Sequence, residues 1–172
     1  MSELILHVPL AQHHELLEHL RPRDAEQVAF LFSEPQVDRE ALRIVELYPV
    51  PPEGFVWQSA YHVTLTDDVR AYVIQRATQL GGSLVEAHSH VGGDPVAFSK
   101  SDLEGFEEWV PHVRWRLRGR PYVALVFGDT TFDALVWQSD GPLVSALRGI
   151  DCDGDQRSPT DRTFRQLARL AK

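Results

Sequence analysis

The sequence predicts an α/β (α+β) fold, a mixed β-sheet flanked by helices, on three observations. Short apolar runs of strand length alternate along the chain with stretches whose apolar residues recur at helical spacing. Some neighbouring strands are joined by tight, hairpin-like turns such as Gly128-Asp129-Thr130-Thr131, so the sheet is not built from crossover units alone. A chain of 172 residues with 43% hydrophobic content can bury one substantial core, which places residues 1–172 in a single domain.

Taken in order, Leu4–Val8 is a short strand, and Leu10, Leu16, Leu17 and Leu20 form a helical stripe that Pro22 ends. Val28–Phe32 is continuously apolar and short, as in a strand covered on both faces. Leu42–Tyr48 and Gln58–Leu65 are further strands, separated by the loop Pro49–Gly54. Thr66 has the place of an N-cap, with Asp67 and Asp68 in the first turn complementing the helix dipole. Val69, Tyr72, Val73, Ala77 and Leu80 form one stripe, which Gly81-Gly82 stops. A strand beginning at Leu84 leads to a Gly92-Gly93-Asp94-Pro95 loop. A second helix carrying Leu103, Phe106, Trp109 and Val110 is expected to end before Pro111. Strands at Tyr122–Phe127, Phe132–Trp137 and Leu143–Ile150 precede a closing helix marked by Phe164, Leu167, Ala168 and Ala171.

A net charge of −8 disfavours a general nucleic-acid or anionic-membrane binder. The single Cys152 excludes an internal disulfide and any cysteine-based zinc site, and fits a reducing compartment. The opening residues show no basic segment followed by a long apolar one, and no apolar run is long enough to span a bilayer. The expected location is therefore cytoplasmic.

The residues richest in chemistry are His88-Ser89-His90, followed by Ser99 and Asp102. Residues two apart on a strand share a face, so both imidazoles point the same way. Asp102 falls in the first turn of the helix that opens at Ser99-Lys100-Ser101. Two neutral imidazoles and one carboxylate, with a fourth position left to water, make a catalytic zinc set rather than a closed structural one. The same residues also admit plainer readings: a His-x-His pair can be two polar strand residues, and Ser99 with Asp102 can form a capping box.

Together the segment reads His-x-His-Val, seven residues, Ser, two residues, Asp, and it resembles the signature of the JAMM (JAB/MPN+) zinc metalloproteases. Val91 stands where that family has proline, a residue that stiffens the strand exit but ligates nothing. Upstream, Glu26-Gln27-Val28-Ala29-Phe30-Leu31-Phe32-Ser33 is similar to the family's second element, with Glu26 in the glutamate position and Ala29 in that of the usual glycine. The resemblance spans roughly residues 1 to 150. It implies a curved mixed sheet of MPN/cytidine-deaminase-like architecture, and one Zn2+ per chain on His88, His90 and Asp102. Glu26 would be the general base and Ser99 a donor to the oxyanion. Glu86 shares the strand face of both histidines by parity and is a rival base or a partner to a ligand. The implied activity is cleavage of the amide bond after the tail of a ubiquitin-like protein or in its conjugates, as in compact prokaryotic members. Activating or conjugating enzymes of such a pathway would be further partners, and neither nucleic acid nor membrane is expected. Hydrolysis of small amides by the same site, and a non-catalytic scaffold, are the alternatives.

Four other features invite a reading. Arg114, Arg116, Arg118 and Arg120 would form a basic stripe if extended, either a binding face with Trp115 or a solvated one. Asp151-Cys152-Asp153-Gly154-Asp155 begins like a calcium loop but lacks the later glycine and glutamate. His13, His14 and His19 are expected to be surface histidines on an exposed helix, the adjacent His13 and His14 facing different directions. Cys152 has no evident base partner, which favours an inert thiol.

Overall fold

A computed structural model describes residues 4–22, 24–138 and 143–172; Met1–Glu3, part of the segment read for a leader, lie outside them. The strands are β1 (Ile5–His7), β2 (Val28–Ser33), β3 (Ala41–Pro49), β4 (Phe55–Gln58), β5 (Val63–Leu65), β6 (Leu84–Ser89), β7 (Tyr122–Phe127), β8 (Phe132–Trp137), β9 (Gly149–Cys152) and β10 (Asp155–Arg157). The helices are α1 (Leu10–Leu20), α2 (Asp67–Leu80), α3 (Lys100–Arg116) and α4 (Arg162–Leu170). Eight strands form one strongly curled mixed sheet in the order β10-β9-β1-β3-β2-β6-β7-β8, and β4 and β5 form a separate hairpin. The predicted fold class is the observed one.

Pleat alternation explains the two cores. Ala29, Leu31, Val85, Ala87, Val123 and Leu125 face α1, meeting Leu16 and Leu20. Val28, Phe30, Phe32, Leu84, Ala124 and Val126 face the other way, against Val69, Val73 and Ala77 of α2 and Phe106, Val110 and Val113 of α3. All six residues of β2 are buried, as its unbroken apolar run requires. Around the second core the helix ends obey their signals. Thr66 Oγ1 accepts the Val69 N–H at 3.2 Å, and Gly81 takes the left-handed conformation at φ 70°. Gly82 must be glycine for a different reason, because a Cβ there would lie 1.7 Å from the Ser33 carbonyl oxygen.

Several expectations are corrected. The second helix does not stop before Pro111 but continues to Arg116. An interior proline costs a helix about 3 kcal/mol. Val110, Val113 and Leu117 are all buried along the same side, and each such side chain contributes roughly 1.5–3 kcal/mol, so packing outweighs the missing hydrogen bond. The single strand expected over Gln58–Leu65 is instead the end of β4, a turn and β5. Ser59 Oγ accepts the Tyr61 and His62 N–H groups, and this turn separates β4 from β5. Of Leu143–Ile150 only the last two residues are strand, and β9 then runs on to Cys152.

The calcium-like run is a β-hairpin. Cys152 pairs with Asp155 across Asp153 and Gly154, whose φ values of 52° and 97° suit a two-residue type I′ turn. The arginines do not form an extended stripe: Arg114 and Arg116 lie on α3, and Arg118 turns the chain at φ 56°. Arg114 donates to the Gly119 and Arg120 carbonyls, and Arg120 donates to those of Ala77 and Gly82. These guanidiniums thus tie α3 to the end of α2. His13 is buried, not on an exposed face, because α1 turns it inward with Leu16 and Leu20. Cys152 is buried, and burial pushes its thiol pKa up, which suits an inert role. Among the described residues no helix is long and apolar enough to cross a membrane.

Candidate metal centre

His88 lies on β6 between two neighbours, its Cα opposite Val28 of antiparallel β2 and Val126 of parallel β7. His90 is two residues on, past the end of β6, and its N–H donates to the Phe127 carbonyl at 3.0 Å. Ser89 points away from both and locks the strand end to the segment before β2. Its Oγ accepts the Gln27 N–H at 2.9 Å, and its own N–H donates to the Gln27 carbonyl at 3.0 Å. Continuing the β2–β6 register by two residues brings Glu26 opposite His90 on the histidine face. The β4–β5 hairpin straps this corner. Gln58 Nε2 donates to the Glu26 carbonyl, and the Glu26 N–H donates to the Ser59 carbonyl, both at 2.8 Å.

Asp102 comes from the first turn of α3. Ser99 and Asp102 form a reciprocal capping box: Ser99 Oγ accepts the Asp102 N–H at 3.1 Å, and the Ser99 N–H donates to Asp102 Oδ2 at 2.7 Å. The plainer reading of Ser99 is therefore realised, without excluding another, since an accepting hydroxyl keeps its hydrogen to donate.

The three candidate ligands converge. His88 Nε2 and His90 Nε2 are 3.2 Å apart, His90 Nε2 is 3.0 Å from Asp102 Oδ2, and His88 Nε2 is 3.3 Å from Asp102 Oδ1. Atoms bound about 2.0–2.1 Å from a tetrahedral zinc stand roughly 3.3 Å from one another, so the donor set fits such an ion in size and in chemistry. Among the described residues, His88, His90 and Asp102 are the group that could hold a metal ion. Imidazole and carboxylate together suit several divalent ions.

Burial and mutual charge shift the protonation of these groups. Burial works to raise the Asp102 pKa, but hydrogen bonds and charge from His88, with His90 and the Ser99 N–H, hold it far below the usual carboxylate range. Burial pulls the His88 pKa down, yet Asp102, Glu86 and Glu26 together leave it above its ordinary value. Glu26 is 5% exposed, its Oε1 3.9 Å from His90 Nε2. Burial raises its pKa, and the two histidines only partly offset this.

Glu86, the rival base, is engaged elsewhere: the Tyr122 O–H donates to its Oε2 at 2.6 Å, and Trp109 Nε1–H donates to the same tyrosine oxygen at 2.8 Å. Phe98, which the motif reading passed over, lies with its ring centroid 5.8 Å from that of His88. It occupies one of the seven unspecified positions of the pattern, and only its apolar character before a cap could have pointed to it.

No protein-family model and no curated protein matches the chain. Among solved structures it is similar to protein DSY2949 from Desulfitobacterium hafniense, determined in solution. The identity is 16%, covering 87% of this chain and 94% of that one, with a TM-score of 0.50. A likeness at that identity concerns the fold.

Proposed function

We propose that this protein is a zinc peptidase of the JAMM type that hydrolyses the amide bond following the tail of a ubiquitin-like protein. The observation that carries the reading is the convergence of His88, His90 and Asp102 with a buried glutamate, Glu26, 3.9 Å from one of them. Zinc, when bound there, supplies the positive charge that acidifies a water molecule and polarises the scissile carbonyl.

The remaining work falls to the chain's own residues. Glu26, with a pKa raised by burial, takes a proton from the attacking water and returns it to the departing amine. The Ser99 hydroxyl, at the mouth of α3, donates to the carbonyl oxygen as negative charge develops there. The β4–β5 hairpin leaves Val56, Trp57 and Tyr61 exposed beside the Glu26 corner, and its strand edges offer an extended tail backbone partners.

The test is metal analysis of purified protein together with cleavage of a linear fusion carrying a ubiquitin-like tail. About one zinc per chain and cleavage that Glu26→Ala abolishes are expected. Stoichiometric zinc that survives His88→Ala would refute the ligand set. Hydrolysis of small amides without any modifier protein would redirect the reading to a small-substrate hydrolase.

A further inference from the structure

We propose that Thr163 and Asp133 are positioning residues for the metal centre, acting through the loop 91–98 that joins its two halves. The proposal rests on the zinc reading above. The loop leaves His90 and arrives at Ser99, three residues before Asp102, and at its start Gly92 and Gly93 take φ values of 78° and 80°. The residues after it are fastened from outside. Asp94 accepts from the Thr130 N–H and from the Thr130 and Thr131 hydroxyls at the β7–β8 turn. Val96 N–H donates to Thr131 Oγ1 at 3.0 Å, while Thr160 and Arg162, at the start of α4, donate to the Val96 and Pro95 carbonyls.

The innermost fastening is buried. Phe98 N–H donates to Thr163 Oγ1 at 3.0 Å, and that hydroxyl donates its one hydrogen to Asp133 Oδ2 at 2.7 Å. Thr163 N–H reaches the same oxygen at 2.9 Å, and Asp133 Oδ1 accepts from the Ala134 N–H. Thr163 and Asp133 are 1% and 0% exposed. With the threonine hydrogen committed to the carboxylate, the hydroxyl can meet Phe98 only as an acceptor. Phe98 in turn sets its ring against His88 and against Phe106 of α3, and the next residue, Ser99, caps the helix that carries Asp102. One strand, the turn before it and a late helix thus fix a metal ligand that none of them contains, in the manner of outer partners that orient metal-site residues.

The test is Co2+ titration of the purified protein, followed by its visible absorption band, with melting temperature measured alongside. Thr163→Val is expected to weaken Co2+ binding about tenfold and to alter the band, and Thr163→Ser to restore both. Leu16→Ala, a core change on the opposite face of the sheet, is expected to lower the melting temperature with affinity and band unchanged. Wild-type affinity and band in Thr163→Val would overturn the proposal, as would an equal loss in Leu16→Ala. If Thr163→Val does not fold, Thr160→Val removes one outer hydrogen bond to the same loop. A loss of about threefold is then expected, and no loss overturns the proposal. A wild-type protein that takes up no Co2+, or a His88→Ala variant that binds it normally, would instead sink the zinc reading itself and this proposal with it.

Discussion

Glu26 Oε1 stands 3.9 Å from His90 Nε2, at facing ends of two antiparallel strands. A buried carboxylate beside two imidazoles is either one more ligand or a base. Burial raises its pKa, and under the proposed reading it is the base rather than a further ligand. Glu26→Gln keeps the shape and removes the base. It should retain zinc and melting temperature while lowering kcat by roughly 10²–10⁴-fold, as measured by single-turnover cleavage beside metal analysis.

Zinc should stabilise the fold through His88, His90 and Asp102. At free zinc about 1,000 times its Kd, the folded state gains about 4 kcal/mol. Thermal unfolding with and without chelator should therefore differ widely in the wild type, and the difference should vanish in His88→Ala.

Proton competition at the site has a definite sign. Zinc needs neutral imidazole, and burial of His88 is more than offset by Asp102, Glu86 and Glu26, which leave its pKa above the ordinary value. Zinc affinity should thus begin to fall at a higher pH than for an ordinary histidine ligand, while Asp102 stays ionised throughout that range. Zinc Kd measured across pH 5–8 tests this; affinity flat down to about pH 6 would contradict it.

His13 gives the apo protein a separate acid sensitivity. Burial, then the charges of Arg157 and His14, lower its pKa to about 4, and its Nδ1 has no hydrogen-bond partner. The unfolded chain takes up that proton near the ordinary value, so the contribution is complete above about pH 6.5 and is lost as pH falls toward 4. Denaturant unfolding of chelated protein should show His13→Leu losing less stability than wild type between pH 7 and 4.5, with a difference on the order of 2 kcal/mol.

Pro111 is a local defect that packing carries. Pro111→Ala restores an N–H to the Glu107 carbonyl in mid-helix and should stabilise the protein by about 1–2 kcal/mol, provided the backbone does not shift. An unchanged or lowered melting temperature would mean that α3 is built around the proline.

Most of what could be read along the chain is local in its physics. The apolar run of β2, the Thr66 cap, the Gly81 stop and the Ser99–Asp102 box all involve residues within a few positions of one another, and all are found where the sequence indicates them. The shared face of His88 and His90 and the place of Asp102 in the first turn of α3 belong here too, but their convergence on one point depends on how α3 docks against the sheet. Expectations failed where distant parts of the chain outvoted a local signal: buried Val110 and Val113 carried α3 through Pro111, and the close-packed face of α1 turned His13 inward.

The sequence by itself thus determined the alternation of strands and helices and the donor atoms a cation could use, since periodicity and capping act over one or two turns of chain. Only the tertiary structure decided that Glu26 reaches His90, that Glu86 turns to Tyr122, and that Thr163 and Asp133 hold Phe98 against the site. Each of these depends on strand register and on helix docking between segments far apart in the chain. Such contacts are chosen by burial and hydrogen-bond satisfaction across the whole core, and no short stretch of sequence encodes them.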